Sequence, residues 1–359
     1  MAAVHDTIVA GAFQGWTPGF YDKNDRYYVP SKDVDVSKFK DFSLRSHDPM
    51  LGMTVYDQGA LNSCVANANA LAYWYELRKA TNKTLEVDGP SRFFLWWNAL
   101  EGDLTDGYAK RGPLQNTGTW NRHAMKILNR IGVCSDAMQH YPPSPAQTKM
   151  TKDQYSKFIQ DTLAQKPEDK CYDQAETHKI GAYFRLDADR AIDTGRQSRS
   201  VDEMNAVGEI CLDNVKRCLL DEHPVVLAFR FYWESIPWDK STGEIWSLPN
   251  LWAGKDGQPP LVQSRHTPPA QNHGGHAVIA IGYDDKIQRI LCQNSWGSGT
   301  RSFPSKGGLF WMPYDWVKDF AATNDFWTCR LEDSDNFKSM SEEEINQRVQ
   351  NKIKEMTGH

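Results

Sequence analysis

Thr54-Val-Tyr-Asp-Gln-Gly-Ala-Leu-Asn-Ser-Cys64 runs straight into Val65-Ala-Asn-Ala-Asn-Ala-Leu-Ala-Tyr-Trp-Tyr75. The first stretch is turn-like. The second is rich in alanine, and Val65, Ala68, Ala72 and Tyr75 fall near one face, which predicts a helix over Val65 to Ala80. Asn62 and Ser63 are the expected caps. Cys64 therefore stands at a helix N-terminus. A thiol attacks a carbonyl only as thiolate, and a free cysteine with a pKa of about 8.5 is mostly protonated at neutral pH. A helix N-terminus supplies one half of the activation such a nucleophile needs, and an imidazolium supplies the other.

Downstream, helical patterns recur over Pro90 to Leu100, with Pro90 at the start, and over Trp120 to Ile131, closed by Gly132. Residues 102–118 read as loop. A short helix is expected around Gln154–Leu163, a charged, irregular stretch around Asp187–Ser200, and a helix from Val201 to Leu220. Then the period changes. Val225-Val-Leu-Ala-Phe-Arg-Phe-Tyr232 reads as a strand, 254–275 as a Gly/Pro-rich loop, and His276-Ala-Val-Ile-Ala-Ile-Gly-Tyr283 and Arg289-Ile-Leu-Cys-Gln-Asn294 as two strands around a tight turn. Gly308 to Pro313 reads as one more. Helices first and strands later predict an α+β protein. Ser341 to Met356 reads as a charged terminal helix whose acidic start and basic end suit the helix dipole.

His276, after Gly274-Gly275, opens a strand and can point into a cleft. Asn294 ends the next strand, 18 residues on, and antiparallel pairing brings it near His276. Its side chain would accept from the imidazole and orient it, as an Asp does in serine triads. Trp296 would cover that bond. The amide of Gln58, with the Cys64 N–H, would face a developing oxyanion, each such donor contributing roughly 3 kcal/mol. Taken singly, Gln58 reads more readily as a loop residue, and Asn294 reads also as a strand-end turn residue and Trp296 as a core aromatic.

Composition narrows the class further. The 359 residues are 40% hydrophobic and 24% charged, with 41 basic against 46 acidic side chains for a net charge of −5. No basic excess points to nucleic acid, and no apolar run is long enough to span a membrane. The start, Met1-Ala-Ala-Val-His-Asp, lacks the pattern of a secretory signal. None of the seven cysteines has the spacing of a zinc site, so neither metal nor cofactor is expected. Free thiols suit a reducing, cytoplasmic compartment. Cys211 and Cys218 are too far apart on one helix to bridge, and for Cys134 and Cys171 pairing and separate core thiols are both open.

Asp57-Gln-Gly-Ala-Leu-Asn-Ser-Cys-Val-Ala66 resembles the nucleophile segment of the papain-like (C1) cysteine peptidases. Gly274-Gly-His-Ala-Val278 resembles their histidine segment, Gln293-Asn-Ser-Trp-Gly297 their asparagine segment, and Gly307-Gly-Leu-Phe-Trp-Met312 their closing strand. The order matches, and the likeness covers about residues 42–330. It is greatest to the bacterial-type branch, through Tyr56-Asp-Gln-Gly, Pro90-Ser-Arg and His178 to Leu186. The resemblance implies a helical lobe and an antiparallel β-barrel lobe with a cleft between them. It implies Cys64 as nucleophile, His276 as acid and base, Asn294 as orienter and Gln58 in the oxyanion hole. Thr117 and Gly118, in Asn116-Thr-Gly-Thr-Trp120, together with Gly275 and Trp296, are implied at the substrate. The reaction implied is peptide hydrolysis through a thioester, on a peptide or protein substrate.

Departures are visible. Leu61 stands where many members have a disulfide-bonded cysteine, Asn62 where Gly is usual, and Val65 where Trp is common. The chain between Cys64 and His276 is long, which implies insertions around 142–210. Sixty-three residues precede Cys64, fewer than the family's long helical propeptide needs. The organisation expected is an extension or leader over 1–41, a peptidase domain over 42–333 and a charged helical tail over 334–359. Residues 1–30, rich in aromatics, read either as a short inhibitory leader in the cleft or as a structural strap on the β lobe. Two rival functions use the same residues: ligation, in which an amine captures the thioester, and an inactive peptide-binding module.

Overall fold

The computed structural model describes residues 22, 24–30, 34–50, 52–81, 89–107, 112–143, 150–187, 200–232, 238–239, 244–245, 273–298, 307–319, 322–333 and 339–358. The loop expected over 254–275 and the charged stretch over 187–200 lie mostly outside these residues, as does most of the 1–30 segment.

The first half is helical. Helix α1 (Cys64–Ala80) begins at Cys64 itself, one residue earlier than the spacing predicts. Twelve of its 17 residues are buried, because it is enclosed by helices on one side and a sheet on the other. That explains why its apolar residues do not form one clean stripe. Helix α2 (Arg92–Thr105) starts later than expected and runs further, into the stretch read as loop. Ser91, not Pro90, sets its start, because the Ser91 hydroxyl accepts from the Phe94 N–H, while Pro90 forms a β-bridge with Ser135. Helix α3 (Asn121–Arg130) follows, then α4 (Lys152–Leu163), held by a capping box between Thr151 and Gln154. The short α5 (Asp169–Ala175) has no period of its own and was not expected.

Helix α6 (Val201–Leu220) matches its predicted bounds and opens with a Ser200–Glu203 capping box. After it comes the β half. Strands β1 (Asp41–Ser43), β2 (Ala182–Arg185), β3 (Val225–Tyr232), β4 (Trp238–Asp239), β5 (Glu244–Ile245), β6 (His273–Asp284), β7 (Arg289–Gln293), β8 (Leu309–Pro313) and β9 (Thr323–Arg330) lie in the order β2-β9-β3-β6-β7-β8-β5-β4, with β1 also on β6. The pairings are antiparallel except one short parallel contact between β5 and β8, Glu244 with Trp311. β1 crosses β6 so closely that a Cβ on Gly282 would lie 2.6 Å from the Phe42 carbonyl oxygen, which is why that strand position is glycine.

β9 is buried along its whole length yet reads as polar, which hid it. Several of its polar groups are paired inside. The Asp325 and Phe326 N–H groups donate to Asp187, Trp327 donates to Asp325, Thr328 donates to the Pro224 carbonyl, and Arg330 to Thr328. Burial of paired polar groups removes the alternation that sequence reading depends on.

The two ends of the chain close over this body. Residues 24–30 behave as a strap: Arg26 pairs with Asp333, Tyr27 bridges Arg185, and the Tyr28 hydroxyl donates to Asp221. Asp22 and Asp25 both bind Arg122. After the short helix α7 (Tyr314–Lys318), α8 (Glu342–Thr357) starts on a Ser341–Glu344 capping box and ends at Gly358 in the left-handed region. It lays Val349 on Ala206, Val207 and Ile210 of α6, with Ile353 packed against them. Among the described residues no helix is long and apolar enough to cross a membrane.

Candidate active site

Helix α1 and strand β6 meet in the middle of the molecule, and their junction brings Cys64 beside the histidine strand. The Ala277 N–H, next in chain to His276, donates to the Cys64 sulfur at 3.4 Å. β6 pairs with β3 so that His276 lies opposite Phe229 and Gly275 opposite Arg230. The Phe229 ring meets the imidazole edge-on at 5.6 Å between centroids.

The β6–β7 hairpin does what its sequence implies. Its register runs from Asp284↔Arg289 back to Ile279↔Gln293, with an irregularity between Ala280 and Gly282. Asn294, just past the end of β7, thereby reaches His276: Nε2 and Oδ1 are 2.8 Å apart. The same Oδ1 accepts from the Ser295 N–H at 2.7 Å. Nε2 must then be the protonated ring nitrogen, so in the neutral imidazole Nδ1 carries the lone pair. Trp296 stacks on the imidazole with centroids 4.4 Å apart, over the His–Asn bond.

Gln58 is buried and held at every backbone and side-chain position. Its N–H donates to the Ser295 carbonyl at 2.8 Å and its carbonyl accepts from Tyr141 at 2.9 Å. Its Oε1 accepts from the Ser295 hydroxyl at 2.7 Å, and its Nε2 donates to the Leu61 carbonyl at 3.1 Å. Ser295 thus ties the Gln58 amide to the Asn294 segment. The sequence displays Ser295 between Asn294 and Trp296 but gives no sign of that task, because its partner is 237 positions away.

The expected caps do something else. Ser63 is at the cap position of α1 but makes no side-chain cap bond; its hydroxyl meets the Tyr141 hydroxyl at 2.6 Å. Asn62 turns to Asn116 instead: its N–H donates to Asn116 Oδ1 and its amide to the Asn116 carbonyl, each at 2.7 Å. This clasp sits next to Leu61. It carries Thr117 and Gly118 along, an exposed and a half-buried residue on the segment tied to the nucleophile loop. Gly275, by contrast, is buried within β6.

Cys64 and His276 have no exposed surface. Burial pushes the Cys64 thiol up to about 12, opposed by the Ala277, Val65 and Cys64 N–H groups. Burial takes His276 down to about 4, opposed by its bond to Asn294. Shut from water, the pair is held as neutral thiol and neutral imidazole, because desolvation penalises both charged forms. Among the described residues, cavities of about 520 and 730 Å³ open over α6, and neither is lined by Cys64 or His276. All seven cysteines are buried free thiols, Cys134 and Cys171 included. Among the described residues no group of three or more His, Cys, Asp or Glu side chains could hold a metal.

Comparison with known proteins agrees with this fold. Xylellain, a cysteine protease from Xylella fastidiosa, is 26% identical, with 90% of this chain and 97% of that one covered at a TM-score of 0.60. A procathepsin B from Trypanosoma congolense, at 13% identity, covers 91% and 89% of the two chains with a TM-score of 0.54, a likeness of fold alone. A protein of Acanthamoeba polyphaga mimivirus, described as an uncharacterized peptidase C1-like protein, is 27% identical over 273 residues, 76% of this chain and 68% of the relative. No family model matches. Fold and relatives together define a cysteine peptidase. Within that class the chain is similar to the papain-like, C1-type members, and neither ligation nor inactive peptide binding is favoured.

Proposed function

We propose that Cys64 is the nucleophile of this peptidase, His276 its acid and base, Asn294 the residue that orients His276, and Gln58 with the Cys64 N–H the oxyanion hole. The observation that carries the assignment is the 2.8 Å His276–Asn294 bond beneath Trp296, on a strand whose Ala277 N–H touches the Cys64 sulfur. The Cys64 proton passes to His276 Nδ1, and the sulfur bonds to the carbonyl carbon of the scissile peptide. The oxygen that gains the electron pair is met by Gln58 Nε2 and the Cys64 N–H. Collapse breaks the C–N bond, and His276 gives its proton to the leaving amine. The thioester remains. His276 then takes a proton from water, the hydroxide displaces the sulfur, and the acid product leaves with Cys64 again a thiol. Thr117 and Gly118 are proposed to meet the substrate backbone, with Gly275 and Trp296 on the other wall.

A covered site also bears on control. The strap formed by residues 24–30 is structural, so an inhibitory role narrows to residues 1–21, which lie outside the described residues. The support is the complete burial of Cys64 and His276: a peptide reaches them only after some segment withdraws.

One experiment addresses both. A diverse peptide mixture is incubated with the protein under reducing conditions and read by mass spectrometry, with Cys64→Ala as control. Cleavage lost entirely in the variant is expected; equal cleavage by the variant sinks the Cys64 assignment. Deleting residues 1–21 is expected to raise the rate of Cys64 alkylation by iodoacetamide, and an unchanged rate removes the inhibitory reading.

A further inference from the structure

The loop from Gln58 to Cys64 carries both proposed oxyanion donors, yet it has no regular structure and contains Gly59 with φ at +55°. Such a loop needs an outside support, because donors must be held about 2.7–3.1 Å from the position of the oxyanion. Among the described residues, one side chain touches both of its ends. The Tyr141 hydroxyl donates to the Gln58 carbonyl at 2.9 Å and meets the Ser63 hydroxyl at 2.6 Å. Since Tyr141 spends its proton on Gln58, Ser63 is the donor to Tyr141.

The chain of donors continues backwards. Asn67 donates to the Ser63 hydroxyl at 3.0 Å and to the Ser63 carbonyl at 2.9 Å. Arg92 donates to Asn67 Oδ1 at 2.8 Å and to the Asp57 carbonyl at 3.1 Å. Its guanidinium lies over the Tyr141 ring at 4.0 Å and the Tyr56 ring at 4.3 Å. The sequence Arg92, Asn67, Ser63, Tyr141, Gln58 is therefore a line of hydrogen bonds that all point one way. It starts on a cation, so each bond polarises the next. Its last acceptor is the main chain of the residue whose amide faces the oxyanion. This also explains why Ser63 gives up capping its own helix.

We propose that Tyr141 is a positioning residue for the oxyanion contact: its hydroxyl fixes the separation of Gln58 from Cys64. The proposal rests on the roles given above to Gln58 and Cys64. It concerns the tetrahedral step and not the thiol itself, because the Cys64 sulfur is held by Ala277 on the other wall.

Tyr141→Phe keeps the ring and its stack with Arg92 and removes only the hydroxyl. In the full chain, kcat on a cleaved peptide is expected to fall by about tenfold to a hundredfold with KM unchanged, since small misplacement of a catalytic group costs rates of that order. Alkylation of Cys64 by iodoacetamide, which displaces iodide and forms no oxyanion, is expected at the wild-type rate. Gln58→Ala is measured beside it, and the double variant is expected to be no slower than Gln58→Ala alone. An unchanged kcat in Tyr141→Phe overturns the proposal, as does a matching drop in alkylation, which would mean that the hydroxyl supports the whole loop. Additive losses in the double variant overturn it as well. If Gln58→Ala itself turns over normally, the underlying assignment of Gln58 fails instead. Should Tyr141→Phe not fold, Ser63→Ala, which removes the donor to the same oxygen, is expected to show the same split with a smaller fall, and equal kcat there overturns the proposal.

Discussion

The two walls of the site are built by different means. On the His276 wall, position comes from backbone ladders: β6 is paired to β3 on one side and to β7 on the other, and Phe229 and Trp296 fix the ring by packing. On the Cys64 wall the loop before α1 is joined to a strand segment by one isolated bridge, Asp57 with Trp296, rather than by a ladder. Side-chain hydrogen bonds from Ser295, Tyr141 and Asn116 hold it in place. A ladder spreads its support over many bonds, so one substitution there costs stability before it costs geometry. An irregular loop held by a few side chains should behave in the opposite way.

That contrast can be broken by measurement. The largest stability effect is expected at the His276 wall: Phe229→Ala removes a ring with 1% exposure that touches His276, Phe310 and Trp316, and should cost about 3–5 kcal/mol in urea unfolding. A loss below about 1 kcal/mol would mean that packing does not hold this wall.

Next comes pH. His276 has a folded pKa of about 4 against its ordinary 6.5. Between those values the unfolded chain binds more protons, so stability falls as pH drops through the window, by on the order of 3 kcal/mol from this one group. His276→Gln should flatten that part of the curve between pH 6.5 and 4, and an unchanged slope would assign acid sensitivity elsewhere.

The smallest stability effect is expected at the Cys64 wall. Asn116→Ala breaks the side-chain bond to the Asn62 N–H and should cost only about 1–2 kcal/mol. It should nonetheless lower kcat/KM by a larger factor than Phe229→Ala does, measured where both variants remain folded. The reverse ranking would dissolve the distinction between the walls.

Much of this was legible along the chain. The helix after Cys64, the β6–β7 hairpin and the 18-residue step from His276 to Asn294 are local patterns, each written in a few consecutive residues whose period and turn chemistry agree. Residues 1–30 offered two readings, and within the described 24–30 the burial of Tyr27 and Tyr28 and the long-range ion pairs support the strap for that part. Helix α5 and strands β2 and β9 escaped because their stability comes from partners distant in sequence. Asp187 serves the backbone of Asp325 and Phe326, and no window of neighbouring residues contains that fact.

The sequence by itself determined which side chains are candidates for the chemistry, because the proposed nucleophile, base, orienter and amide donor are residue types in a recognisable order. Only the tertiary structure decided what holds them. Ser63 could cap its helix or bond Tyr141, and Asn62 could cap or clasp Asn116. Local propensity favours the caps. The fold brings Tyr141 and Asn116 within 2.6 to 2.7 Å, where an otherwise unpaired buried polar group would cost more than a cap returns.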